Sequence, residues 1–189
     1  MSLSIIWQVL YCIWVGSEVV IAIGTRTRNS SGNVRDRGTL YLLWAVIFTS
    51  MTGGLTWSES LPLGTVPGLH WMRWVSLCLF LFGLALRWSA ILTLGKSFSS
   101  NVAIHSTQKV LKTGPYRWMR HPSYTGLIIL FLATGLRTRN WVSFLIVTVP
   151  TTAALLYRIH VEEIALRDHF GPEYVEYSRV TKRLMPGIY

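Results

Sequence analysis

The chain has 189 residues, of which 51% are hydrophobic and 14% charged, against a charged share of about 25% in soluble domains. Its formal charge is +10, from 18 Lys+Arg and 8 Asp+Glu, and it carries nine Trp. Two Cys, Cys12 and Cys78, both inside apolar runs, and five scattered His argue against a disulfide framework and against a metal site.

A membrane-spanning helix needs about 20 mostly apolar residues. Residues 3–24 satisfy this, with no cationic region before them and no small-residue cleavage site after, so they read as a retained helix rather than a signal peptide. The next connector, "TRTRNSSGNVRDRG", holds Arg26, Arg28, Arg35 and Arg37 against Asp36 alone. Residues 40–55 form a second, shorter span. Its "TSMTGG" is embedded in an apolar helix, where small residues read as close helix packing rather than a cofactor loop. The connector "TWSESLPLGTVP" has Glu59 and no Lys or Arg. Residues 68–94 are a third span, long enough to tilt.

The third connector, 95–121, carries Lys96, Lys109, Lys112, Arg117 and Arg120. Residues 122–136 are short for an upright span and residues 141–159 are adequate. Only "RTRN" joins these two, which predicts a helical hairpin. The tail adds Arg167, Arg179, Lys182 and Arg183. The positive-inside rule then places connectors one and three and the tail in the cytoplasm and the N-terminus outside, with five helices. Arg137 and Arg139 in the hairpin turn dissent. The basic surplus is explained by topology and by anionic lipid, so nucleic-acid binding loses its support. Glu18 and Arg87 fall inside spans at matching depth, each about two turns from the cytoplasmic end. Alone, each would cost roughly 2.5–3.5 kcal/mol at a helix centre; pairing offsets part of that.

Connector three is too long for an idle loop, and its "VAIHSTQKVLKTGPYRWMRHPSY" mixes apolar, aromatic and cationic residues. Pro122 is placed to open helix four, because Pro suits the first helical position and pushes His121 into extended geometry. The free N–H groups of that helix start attract an anion such as a carboxylate. Tyr116 and Tyr124 flank the start with flat faces for a ligand, whereas Trp118 reads as interfacial belt. On helix five, Arg158 and Glu162 are four apart and share a face, while Glu163 is rotated away from it. The short hairpin brings the start of helix four and the end of helix five to one mouth.

"TGPYRWMRHPSYTG", a short hydrophobic hairpin, "EEIALRDHFGPEYVEYSR" and a late "MPG" resemble the isoprenylcysteine carboxyl methyltransferase family of integral membrane enzymes, from "LGKSFSSNVAI" onward. The phospholipid N-methyltransferases share a similar C-terminal pattern. The resemblance implies S-adenosylmethionine as cofactor. It implies contacts to it from Tyr116, His121, Pro122, Ser123, Tyr124 and Glu162, from a polar Asn101, and from the segment Gln108, Lys109, Val110 and Leu111. The family usually has His-x-Leu-Val where this chain has "QKVL", a departure that falls mainly on Gln108. It implies Arg158 as the catalytic residue holding the substrate carboxylate.

The expected class is an all-α polytopic membrane bundle. Three N-terminal transmembrane helices occupy 1–94. A catalytic half occupies 95–189, with a cofactor loop 95–121, the hairpin 122–159, and a cytoplasmic C-terminal helix and tail 160–189. The expected reaction is methyl transfer from S-adenosylmethionine to the carboxylate of a lipophilic or prenylated substrate. Methylation of a phospholipid amine ranks second, since an amine acceptor needs a base, for which His160 and His169 are the candidates. A non-enzymatic anchor binding anionic membrane lipids ranks third.

Overall fold

The computed structural model describes residues 3–26, 33–34, 38–68, 70–95, 98, 103–104 and 110–186. Six helices dominate: α1 (Leu3–Arg26), α2 (Thr39–Ser60), α3 (Met72–Leu94), α4 (Pro122–Arg137), α5 (Trp141–Phe170) and α6 (Pro172–Val180). A 3-10 turn at Gly114–Arg117 precedes α4. Two-residue strands β1 (Asn33–Val34) and β2 (Ala103–Ile104) pair antiparallel, so the first and third connectors meet at one end of the bundle. Four helices, α1, α2, α3 and α5, are long and apolar enough to cross a membrane. The 16 residues of α4 make a shorter limb, of about 24 Å at 1.5 Å per residue.

The hairpin between α4 and α5 turns on Asn140. Its Oδ1 accepts from the backbone N–H of Val142 and Ser143 at 3.0 and 3.1 Å, capping α5. Its Nδ2 donates to the Leu63 carbonyl at 2.9 Å, which ties the second connector to the same end. Helix α5 continues past Ile159 to Phe170, so the site residues on it stand on a rigid rod rather than a loop.

Small residues set the helix spacing. A Cβ on Gly54, within "TSMTGG", would meet Val147 Cγ2 at 2.5 Å and the Ser143 carbonyl at 3.2 Å, so α2 and α5 touch there. A Cβ on Gly126 would meet the Arg87 backbone N and the Gly83 carbonyl at 2.8 Å each. These are backbone atoms and cannot swing aside. Gly126→Ala should therefore spread α3 from α4 and lower stability by about 1–3 kcal/mol, the usual cost of overpacking. Thermal unfolding in detergent measures this, and an unchanged midpoint would show that the two helices are not locked at this crossing.

The core joins α1, α3 and α4 through aromatic edges. Trp14 meets Phe80 at 5.8 Å and Phe131 at 5.7 Å between ring centroids, and Trp7 meets Phe80 at 5.0 Å. Elsewhere the helices turn large apolar side chains outward, among them Val20, Phe48 and Leu92. Such a surface suits lipid and would be a liability in water. Trp118 is 60% exposed, as an interfacial anchor would be.

The two buried charges of the spans do pair. Arg87 donates from Nε to Glu18 Oε1 and from Nη2 to Oε2, both at 2.7 Å, a bidentate fork. Its Nη1 donates to Ser123 Oγ at 2.5 Å. One guanidinium thus links α1, α3 and the first turn of α4.

Candidate active site

A cavity of about 720 Å³ opens where α4 begins and α5 emerges, walled by residues of all six helices. Its inner end is apolar, with Leu43, Ile47, Met51, Leu127 and Phe131. Its outer end carries Arg87, Arg120, His121, Arg158, Glu162 and Glu18. A single chamber thus has a greasy floor and a charged mouth.

The centre of the mouth is a hydroxyl. Tyr124 donates to Glu162 Oε2 at 2.7 Å and accepts from Arg158 Nε at 3.1 Å. Arg158 and Glu162 therefore share a face as their spacing predicts, with the Tyr124 oxygen as the bond between them. Arg158 Nη1 also donates to Thr39 Oγ1 at 2.9 Å. Held from α4 and α2 at once and only 2% exposed, the guanidinium plane is fixed before any ligand arrives.

The other expected site residues fall out as follows. Val110 and Leu111 line the cavity. Tyr116 lines it and is buried, and its carbonyl accepts from the Tyr177 hydroxyl at 2.6 Å. Burial, then the Glu162 carboxylate, pushes the Tyr116 phenol well above its ordinary pKa, so it stays a neutral donor. Ser123 lines the cavity with its hydroxyl committed to Arg87. His121 lines it, but its Nε2 lies 3.5 Å from Glu163 Oε1. Pro122 is fully buried as the first residue of α4 and is not among the lining residues. Asn101, Gln108 and Lys109 lie outside the described residues.

Sequence reasoning missed several contributors. Tyr11, Trp14, Glu18 and Ile47 bring α1 and α2 into the wall, so the cavity draws on both halves of the chain. Thr39 steadies Arg158. Tyr174 and Tyr177, three apart on α6, face the cavity; their spacing inside "FGPEYVEYSR" was the available signal.

A match to known proteins follows this geometry. The model of the isoprenylcysteine carboxyl methyltransferase (ICMT) family matches residues 75–168. A probable protein-S-isoprenylcysteine O-methyltransferase of Oryza sativa subsp. indica is 30% identical over 178 residues, covering 93% of this chain and 92% of the relative. The chain belongs to the isoprenylcysteine carboxyl methyltransferase family. Protein-S-isoprenylcysteine O-methyltransferase B of Arabidopsis thaliana is 37% identical over 120 residues, 60% of each chain. The solved structure of a eukaryotic intramembrane Ras methyltransferase of the family superposes with a TM-score of 0.60 at 28% identity, covering 76% of this chain and 52% of that one.

As a member of this family the protein is an integral membrane methyltransferase that uses S-adenosylmethionine. The cavity suits that cofactor. Its volume lies within the range of about 300–1,000 Å³ usual for ligand sites. Glu162 offers a carboxylate to an ammonium or sulfonium, and Tyr116, Tyr174 and Tyr177 offer flat walls. Burial also pushes the Tyr177 phenol up, to about 12, so these tyrosines add no negative charge.

Proposed function

We propose that the chain methylates the carboxylate of an isoprenylcysteine-like lipid. The observation that carries this reading is the pairing of a fixed Arg158 with a separate Glu162 at the mouth of an apolar cavity. The tail of the acceptor would occupy the apolar end beside Met51 and Phe131. Its carboxylate would meet Arg158, whose planar fork matches a carboxylate. S-adenosylmethionine supplies an activated methyl group when bound. Glu162, oriented by Tyr124, would hold the cofactor's ammonium, and the first turn of α4 would receive its carboxylate. A carboxylate acceptor is already ionised at neutral pH, so the site needs no base. Its work is to exclude water and align the acceptor, which can supply up to about 7–11 kcal/mol of the barrier.

His160 and His169, the bases an amine acceptor would call on, are exposed and are not among the cavity-lining residues, so phospholipid N-methylation is disfavoured. The proposed topology is read from the charges of the sequence. The basic connectors and tail face the cytoplasm, the N-terminus lies outside, and α4 makes the fifth crossing as the short limb of the hairpin. Arg137, which dissents from that charge rule, places its Cζ 5.1 Å above the Trp7 ring, where a cation is tolerated.

The test is transfer of a labelled methyl group from S-adenosylmethionine to an S-farnesylcysteine with a blocked amine, against phosphatidylethanolamine vesicles. A product that releases methanol in mild base supports the proposal; a base-stable product only on the phospholipid sinks it. In the same preparation Glu162→Gln should raise the Kd for S-adenosylmethionine about tenfold, the worth of one hydrogen bond to a charged group. Calorimetry giving an unchanged Kd would remove Glu162 from the cofactor site.

A further inference from the structure

The second carboxylate of the Glu162-Glu163 pair has no place in the cavity wall, yet it is 2% exposed. Its Oε1 accepts from Arg120 Nε at 2.9 Å and its Oε2 from Arg183 Nε at 2.9 Å. His121 Nε2 stands 3.5 Å away and Arg167 Nη2 3.7 Å. Around this carboxylate the end of the chain is stitched to the turn before α4. The backbone N–H groups of Arg120 and His121 donate to the carbonyls of Lys182 and Arg183 at 2.8 and 3.0 Å. Thr125 Oγ1 donates to the Leu184 carbonyl at 2.8 Å, and Arg120 Nη1 donates to the carbonyls of Ser178 and Thr181.

These contacts are hydrogen bonds and ion pairs, and they lie apart from the aromatic core of α1, α3 and α4. Each neutral hydrogen bond contributes about 0.5–1.5 kcal/mol net and each one to a charged group about 1.5–3, and the set can open as a unit without unpacking the aromatic core. It also occupies a particular place. Arg120, His121, Tyr174 and Tyr177 line the cavity, and the first two are bonded directly to the stitched segment. The two substrates of the proposed reaction differ in solubility. A lipid tail can enter from the bilayer, whereas a charged, water-soluble cofactor must enter from the aqueous side, which this segment covers.

We propose that Glu163 is the positioning residue of a clasp. It holds residues 177–184 against residues 116–125, and the clasp admits S-adenosylmethionine when open and retains it when closed. The inference rests on the function proposed above. Removing the carboxylate takes from Arg120, Arg183 and Arg167 the anion they share, which favours the open form.

The test uses the full chain purified in detergent. If Glu163→Gln leaves about one molecule in ten closed, the apparent Kd for S-adenosylmethionine rises about tenfold. Calorimetry reads this rise, with a faster cofactor dissociation rate, while kcat at saturating cofactor falls by less than about threefold. Arg183→Gln, which removes the tail's own ion-pair partner of Glu163, should move the same quantities in the same direction and serves if E163Q does not fold. A disulfide supplies the rescue. Met119 and Lys182 are partners in a parallel bridge, where strands run about 4.8 Å apart, within the range of about 4.4–6.8 Å that a disulfide spans. With the free Cys12 and Cys78 replaced by Ser, M119C/K182C oxidised after loading should restore slow dissociation to E163Q. Oxidised before loading, it should slow cofactor entry. Wild-type affinity in both E163Q and R183Q, no rescue by the disulfide, or a kcat loss matching the Kd rise would each overturn the clasp. A wild-type chain that binds no S-adenosylmethionine would overturn the functional reading together with it, whereas binding by wild type and E163Q alike overturns the clasp alone.

Discussion

Arg158→Lys should lower kcat with a carboxylate acceptor by about a hundredfold, the usual loss when one oriented donor leaves a transition state, and should leave S-adenosylmethionine affinity within about twofold. The reason lies in what lysine keeps and loses. The charge remains, but the planar fork does not. Tyr124 and Thr39 hold the guanidinium from two helices; an ammonium on a flexible stem cannot satisfy both and still face a carboxylate in one plane. Cofactor affinity should be spared because the contacts proposed for the cofactor, Glu162 and the start of α4, are separate from Arg158. Steady-state kinetics on a prenylcysteine acceptor, with cofactor binding measured separately, distinguishes the two effects. Full turnover in the Lys variant would reduce Arg158 to a structural cation.

Glu18→Gln should be the most damaging single change to stability. It leaves Arg87, whose side chain is 7% exposed, without a counter-charge in the bundle, a situation that costs about 3–5 kcal/mol. Replacing both partners, as Glu18→Gln with Arg87→Met, should recover most of that loss, since a buried pair exchanged for apolar contact is often nearly neutral. Thermal unfolding of the two single variants and the double variant in the same detergent gives the coupling energy. Strictly additive losses would mean that the fork contributes nothing to the assembly of α1 with α3.

Glu18 and Arg87 also show what the sequence could disclose. Both are charges inside apolar runs at equal depth, and that alone predicts their pairing. The hairpin was legible in the same way, from Pro122 at a helix start and "RTRN" between two apolar runs. Arg158 and Glu162 were legible because a helix puts positions four apart on one face. Glu163 was legible only as turned from that face. What it turns toward depends on Arg120 and Arg183, which are 43 and 20 residues away, and no local pattern encodes that meeting. The Tyr124 hydroxyl was hidden for a related reason. An aromatic at a helix start advertises its ring, while the partner of its oxygen is chosen by how α4 packs on α5. The share of α1 and α2 in the cavity was hidden too, because a helix that is apolar on every side does not show which stripe faces protein and which faces lipid.

The short reach of α4 has a consequence for how the enzyme meets its acceptor. A bilayer core is about 30 Å thick and the 16 residues of α4 rise about 24 Å, so under the five-crossing arrangement proposed above Tyr124 and its partners would lie in a dent beneath the level of the headgroups. An acceptor with its tail among the helices can offer its carboxylate there without leaving the membrane. In that arrangement encounter would be two-dimensional. The concentration that governs the rate is molecules of acceptor per unit area, and swelling the membrane with inert lipid would slow the reaction as surely as an inhibitor.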